Sequence, residues 1–204
     1  MKLNKISTEF TVVEENHLGG YIIEGDPATY TPQLWEHLVK KYNANSVIDI
    51  GCGMGYALQE FSHLCDDVLG LEGSTYAVQN SFIKDKIMHV DFSKEKPHIE
   101  KEYDLCWACE FVEHVEEKYM ENYLHIMQNS KVVAMTFAGV GQGGYHHVNE
   151  QPLEYWINKL SDLGLEFDLD ATNEAKNIAY LDGIKHNPQY RDNHFMNRGL
   201  ICVK

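Results

Sequence analysis

The chain has 204 residues, the length of one domain or of one domain with a small cap, and enough to bury a sizeable core, so one core is expected. With 44% hydrophobic and 24% charged residues and five prolines, it is neither a disordered, a collagenous nor a disulfide-framework chain. Its 17 Lys+Arg against 31 Asp+Glu leave a net charge of −14, which repels a phosphate backbone or an anionic lipid surface, so neither nucleic acid nor membrane is an expected partner.

The N-terminus carries no apolar stretch of signal-peptide length, and the longest nearly unbroken apolar run, Val132 to Val140, is about half of the ~20 residues that span a bilayer. A cytoplasmic protein is expected. Five cysteines at scattered positions (Cys52, Cys65, Cys106, Cys109, Cys202) fit a reducing compartment, as small buried thiols. Nothing in the sequence fixes the oligomeric state.

In chain order, residues 1–30 show no strong periodicity and are read as a flap over the main body. Thr31-Pro32 opens a helix with a hydroxyl N-cap and Pro at N1, followed by Leu34, Trp35, Leu38 and Tyr42 at helical spacing. Seven strands are expected: Ser46–Ile50, Val68–Leu71, Ile87–Val90, Tyr103–Ala108, Lys131–Ala138, Leu165–Leu169 and Gly199–Val203. Between them lie helical patterns at Tyr56–Leu64, Thr75–Asn80, Val115–Met127, Pro152–Leu163 (ended by Gly164) and about Thr172–His186. Alternation of strand and helix predicts one α/β domain, a Rossmann-like, mostly parallel sheet with helices on both faces.

The segment Val47-Ile48-Asp49-Ile50-Gly51-Cys52-Gly53-Met54-Gly55 is a buried strand running into a glycine turn and then a helix, which lets a ligand approach backbone N–H groups closely. A dinucleotide fingerprint would place a third small residue at position 56, where the chain has Tyr56, so a nicotinamide oxidoreductase is only a runner-up. Asp49 stands inside an otherwise apolar strand and needs partners, for which the loop N–H groups are the obvious source. Glu72, in Leu69-Gly70-Leu71-Glu72-Gly73, lies where doubly wound folds set an acid on ribose hydroxyls. Asp91-Phe92 after the third strand and Glu110 after the fourth add polar groups at the same sheet edge.

With VIDIGCGMG, LGLEGS, HVDF and DLCWACEFVEHV in this order, the chain from about residue 30 onward resembles the class I S-adenosylmethionine-dependent methyltransferases. The resemblance implies a seven-stranded sheet whose last strand is antiparallel and inserted beside the fifth, and S-adenosylmethionine as cofactor. It also implies roles by position. Asp49 would orient the loop and the cofactor's methionine moiety, with Gly51, Cys52 and Gly53 passing beside it. Glu72, followed by Gly73, would accept both ribose hydroxyls. Asp91 would meet the adenine amino group with Phe92 beside the base, and Glu110 would stand near the methionyl end.

After the fifth strand a glycine-rich stretch, Gly139 to Gln151, delivers His146 and His147 to the same edge, where an acceptor would sit. Methyl transfer needs in-line approach, and a hydroxyl or ammonium acceptor also loses a proton. An imidazole suits that task, so His146 or His147 is the expected base, with His114 as a second candidate. Tyr21, Tyr30, Trp107, Tyr145 and Trp156 are candidates for shaping the acceptor pocket, Trp156 being placed in the core by its helical stripe. No metal site is expected: there is no His-Glu-x-x-His, adjacent His146 and His147 point apart, and Cys106 and Cys109 fall on opposite faces of a strand. The expected activity is methyl transfer to oxygen or nitrogen of a small molecule. The alternative is a domain that binds the cofactor without transferring methyl. A nucleic-acid acceptor is disfavoured by the charge and by Cys-Trp-Ala-Cys-Glu standing where an Asp/Asn-Pro-Pro-Tyr motif would be.

Overall fold

The computed structural model describes residues 2–5, 11–186, 188 and 193–204, with side chains from residue 15 onward. Residues 1 and 6–10 of the expected flap lie outside the described residues. Its remainder begins with three short antiparallel strands, β1 (Lys2–Lys5), β2 (Thr11–Glu14) and β3 (Tyr21–Ile22), with Lys2 opposite Glu14 and Val12 opposite Ile22.

The main body alternates α1 (Pro32–Tyr42), β4 (Ser46–Ile50), α2 (Tyr56–Leu64), β5 (Asp67–Glu72), α3 (Thr75–Asn80), β6 (Ile87–His89), β7 (Tyr103–Ala108), α4 (Glu121–Gln128), β8 (Ser130–Met135), α5 (Leu153–Ser161), β9 (Glu166–Phe167), α6 (Leu169–His186), α7 (His194–Arg198) and β10 (Leu200–Val203). Seven of these strands form one sheet in the order β6-β5-β4-β7-β8-β10-β9. β6, β5, β4, β7 and β8 are parallel, whereas β10 runs antiparallel between β8 and β9. This is the sheet that the sequence implied.

Alternation along the strands explains the two-sided core. Ile48, Ile50, Cys106, Val133 and Cys202 join α4 and α5 on one face, with Tyr123 and Trp156 among the largest buried side chains. Val47, Leu105, Trp107, Val132 and Ile201 join α1, α2 and α6 on the other. Helix α6 fits there through a small-residue stripe, Ala171, Ala175 and Ala179, spaced four apart.

Several boundaries differ from the sequence reading. Thr31 stands at the N-cap of α1 but its hydroxyl makes no cap bond; Asp182, reaching from α6, accepts from the Gln33 and Leu34 N–H groups at 2.8 and 3.0 Å instead. The helix expected from Val115 begins only at Glu121, because Val115 and Glu116 are extended between two 3-10 turns at Val112–His114 and Glu117–Tyr119. Strand β8 stops at Met135, where its pairing with β10 ends at Leu200, and Thr136 turns toward the crevice. Asp168 leaves the expected strand to accept from the Ala171 N–H and so start α6 early. Helix α7, capped by Asn193 on Phe195 and Met196, was not legible in the pattern.

Candidate functional site

The glycine loop leaves β4 over the end of β5. Gly51 and Gly53 have φ of +75° and +54°, a region that side chains disfavour. The Gly51 and Cys52 N–H groups donate to the Leu71 carbonyl at 2.8 and 3.2 Å. The Gly53 N–H donates to Glu72 Oε2 at 2.7 Å, and the Ser74 N–H to Glu72 Oε1, also at 2.7 Å. Burial nonetheless holds the Glu72 carboxyl above its ordinary range.

This bonding corrects the expectation for Asp49. The loop N–H groups serve Leu71 and Glu72, so Asp49 Oδ2, buried at the cavity wall, has no hydrogen-bond partner among the described residues. Burial first, and then the neighbouring charge of Glu72, push the Asp49 carboxyl up to about 8.

Loop, strand ends and N-terminal segment enclose a cavity of about 910 Å³. That is at the upper end of the range for ligand sites, roughly 300–1,000 Å³. Every residue expected to contact cofactor lines it except Asp91. Val90 and Phe92 on either side of Asp91 do line it, but the Asp91 carboxylate is turned to other partners. Its Oδ2 meets His17 Nε2 at 2.6 Å and Lys94 Nζ at 2.7 Å, and its Oδ1 accepts from the Ser93 N–H and hydroxyl. Burial would raise this acid, yet Lys94, Ser93 and His17 together hold it at about 2. Asp91 therefore ties the segment before β3 to the end of β6, and the structure does not place it to meet an adenine amino group.

Residues 18–30 supply the opposite wall. A Cβ on Gly19 would fall 2.5 Å from the His114 ring, and one on Gly73 3.2 Å from Leu18, which shows how closely the segment lies on the site. The Tyr56 hydroxyl donates to the Ile23 carbonyl at 3.1 Å, and Tyr21 and Ser74 hydroxyls meet at 3.3 Å.

The far end of the cavity is built by β7, β8 and the glycine-rich stretch. Glu110 adopts φ +52° and exchanges bonds with Thr136: its N–H donates to Oγ1 at 2.7 Å, and that hydroxyl donates back to Glu110 Oε1 at 2.9 Å. Glu110 Oε2 lies 3.3 Å from His194 Nδ1, whose Nε2 is 3.4 Å from Asp26. Burial lowers His194, but Asp26 and Glu110 outweigh it and hold the imidazole above its ordinary value. His114 Nδ1 faces the His146 carbonyl at 3.2 Å; a carbonyl only accepts, so the proton is on Nδ1 and the lone pair on Nε2. Burial pulls His114 down to about 4 and keeps it neutral.

Of the three expected histidines, His114 and His147 line the cavity with ring centroids 5.1 Å apart. His146 does not: at φ +52° it contributes its carbonyl to His114 and is not among the lining side chains. Tyr21, Tyr30, Trp107 and Tyr145 line the cavity, while Trp156 is fully buried in the core. The cysteines are free, with Cys106 and Cys109 on opposite sides of β7 as their spacing implied.

Asp26, His194 and Glu113 were missed as site residues. Asp26 and His194 come from segments without a pattern. Glu113 had a signal, an acid between Val112 and Val115 in an apolar stretch. It is fully buried, and one donor atom from each of Glu113, His114 and His147 lies within 4.8 Å of the others. The expectation of no metal centre rested on sequence spacing, and this grouping arises instead from the return of the glycine-rich stretch over β7.

Residues 48–130 match the protein family described as "Methyltransferase domain". None of the curated proteins compared matches the chain. Among solved structures, a putative sarcosine dimethylglycine methyltransferase from Galdieria sulphuraria is similar at 13% identity, with 85% of this chain and 84% of that chain covered and a TM-score of 0.57. The 4+2 cyclase SpnF is similar at 14% identity, with 93% and 88% covered and a TM-score of 0.56. Magnesium protoporphyrin IX methyltransferase from Synechocystis PCC 6803, solved with bound S-adenosylmethionine, is similar at 16% identity, with 68% of each chain covered and a TM-score of 0.54. Residues 48–130 thus match a methyltransferase domain, and the sheet around them has the fold that these S-adenosylmethionine-dependent methyltransferase structures share.

Proposed function

We propose that the protein transfers the methyl group of S-adenosylmethionine to oxygen or nitrogen of a small-molecule acceptor held between the glycine loop and the His114–His147 pair. The observation that carries this reading is the single cavity wall that joins Gly53 and Glu72 to Asp49, Glu110, His114 and His147. The residues present fit the cofactor. Glu72, already oriented by two N–H groups, offers acceptor capacity to ribose hydroxyls, and the unpartnered Asp49 Oδ2 suits a cationic amino group at the methionyl end. Gly73 and Phe92 line the adjoining wall, where the base would lie.

When bound, the cofactor supplies a methyl carbon to which an acceptor lone pair forms the new bond while the carbon–sulfur bond breaks and its electron pair stays on sulfur. The chain supplies position and proton management. Residues 18–30 act as a flap that limits water, His17 on Asp91 pinning one end, Tyr56 on Ile23 the middle and the His194 N–H on the Ala28 carbonyl the other end. The imidazole of His147, with His114 beside it, stands at the acceptor end to take the acceptor's proton. The free cysteines support a reducing, cytoplasmic setting, and no helix among the described residues is long and apolar enough to cross a membrane.

Thermal shift with S-adenosylmethionine, S-adenosylhomocysteine, NADH and NADPH tests the cofactor. A ligand at ~100 times its Kd adds about 2.7 kcal/mol, or ~5–10 °C for a chain of this size. A rise with the adenosyl ligands alone supports the reading, and a response only to a nicotinamide rejects it. Transfer itself is read by mass from an acceptor panel. Binding with no methylated product in any acceptor class would favour the second reading, cofactor binding without methyl transfer; that this fold is shared with a protein named as a cyclase gives that reading its weight.

A further inference from the structure

We propose that Glu113, His114 and His147 form a binding site for one divalent transition-metal cation at the acceptor end of the cavity. Two imidazoles and one carboxylate whose donor atoms lie within 4.8 Å of one another match the donor set that manganese, iron, cobalt, nickel and zinc ions take, with coordination positions left over for solvent or an acceptor.

Two further observations point to a ligand. Glu113 is fully buried, and both its carboxylate oxygens lack a hydrogen-bond partner among the described residues. A buried carboxylate that carries its charge is paired or metal-bound. No side chain bonds it: Glu110 adds negative charge, and the opposing charge of His194 acts from across Glu110, where His194 is itself in contact with Glu110 and Asp26. The second observation is the way the imidazoles are oriented. His114 donates Nδ1–H to the His146 carbonyl, which fixes the tautomer with a lone pair on Nε2, the arrangement common to metal-bound histidines. His147 Nδ1 stands 3.5 Å from Glu150 Oε1, and Glu150 is itself fixed by the Gly141 and Gly143 N–H groups at 2.7 and 2.6 Å.

The backbone is shaped to bring the three together. The Glu113 carbonyl accepts from both the Val148 and Asn149 N–H groups, stapling the glycine-rich stretch to the turn after β7. Gly144 packs against the His147 ring so closely that a Cβ there would fall 2.4 Å from Nε2, and His146 pays for its place with φ +52°.

This inference rests on the methyltransferase reading only for the purpose of the site, since an acceptor that coordinates through oxygen or nitrogen would be held at the cavity's end. With the cation bound the imidazole lone pairs serve it, and the acceptor loses its proton to solvent on coordination; in the cation-free site His147 is the base proposed above.

The test uses the full chain, stripped with a chelator and titrated with Co²⁺ by calorimetry and visible absorption. One Co²⁺ per chain with a d–d band is expected, along with a higher Tm. Glu113→Gln, His114→Asn and His147→Asn should each weaken uptake tenfold or more. Glu113→Gln should also raise the Tm of the stripped protein, because it removes the unpaired acid while keeping its size. Co²⁺ uptake equal in stoichiometry and affinity in wild type and all three variants would assign binding to other histidines and overturn the proposal, as would no uptake by folded wild type. S-adenosylmethionine binding is measured on the same stripped protein. Its loss would reject the methyltransferase reading and leave the cation result standing.

Discussion

Glu72 Oε2 accepts the Gly53 N–H at 2.7 Å, so the acid at the end of β5 and the loop at the end of β4 are one preorganised unit. The bond is charge-assisted, worth about 1.5–3 kcal/mol, and the same carboxylate is the acceptor offered to ribose. Glu72→Ala removes both and should weaken S-adenosylmethionine binding about tenfold or more by calorimetry. Glu72→Gln keeps one acceptor oxygen and should fall between. Unchanged affinity in the Ala variant would remove Glu72 from the site.

The two loop glycines differ in a way that stability measurements can separate. A Cβ on Gly51 would stand 2.6 Å from Phe111 Cδ2 and 3.0 Å from Phe111 Cβ, in addition to φ +75°. On Gly53 the nearest atom would be Tyr21 Cβ at 3.7 Å, ordinary contact, with φ +54° alone to accommodate. Left-handed backbone costs a non-glycine residue about 1–2 kcal/mol. Gly53→Ala should therefore lower Tm by only ~2–8 °C, and Gly51→Ala by clearly more, since Phe111 packs in the core and cannot retreat. Equal Tm losses would show that Phe111 yields freely.

Asp49 sets a pH dependence with a defined sign. Its carboxyl is held at about 8 against 3.8 for the free side chain, so between these values the folded protein keeps a proton that the unfolded chain has lost. Stability then falls as pH rises through that window. Asp49→Asn removes this slope. Near pH 8 the variant should melt at or above the wild type, and near pH 4 the advantage should vanish, while affinity for S-adenosylmethionine drops in either case. A wild-type Tm that climbs from pH 4 to 8 in step with the Asn variant would contradict the assignment.

How much of this was legible in the sequence depends on where the determining contacts lie. The parallel sheet and the placement of Gly51, Gly53, Glu72 and Phe92 at one edge follow from local runs and the alternation of strands and helices, which parallel crossovers convert into geometry, whereas the antiparallel insertion of the last strand beside the fifth was implied by the family resemblance. Asp91 was misread because its partners His17 and Lys94 come partly from a segment with no periodicity. The α1 cap was misread for a similar reason: Asp182, distant in sequence, outcompetes the local hydroxyl of Thr31. Glu113 could have been found by the reasoning used for Asp49, a lone acid among apolar residues. Its grouping with His147 could not, because a stapled loop and not a spacing brings them together.

His194 links the C-terminal part of the chain to both walls of the cavity, with Nδ1 3.3 Å from Glu110 and Nε2 3.4 Å from Asp26. Burial alone would lower its pKa, but the two acids raise it above 6.5, so the imidazolium stabilises the fold below that value and the contribution fades as pH rises through the higher, folded value. Half-exposed ion pairs of this kind are worth up to about 1 kcal/mol each, and each kcal/mol is roughly 2–4 °C of Tm at this size. His194→Asn should therefore melt lower than wild type near pH 6 by up to ~4–8 °C, the two pairs together, and converge with it near pH 9. Because Asp26 belongs to the segment over the cavity, the variant should also expose residues 18–30 to faster hydrogen exchange near pH 6, where the wild type protects them. Equal melting at both pH values would show that Asp26 and Glu110 are held without the imidazolium.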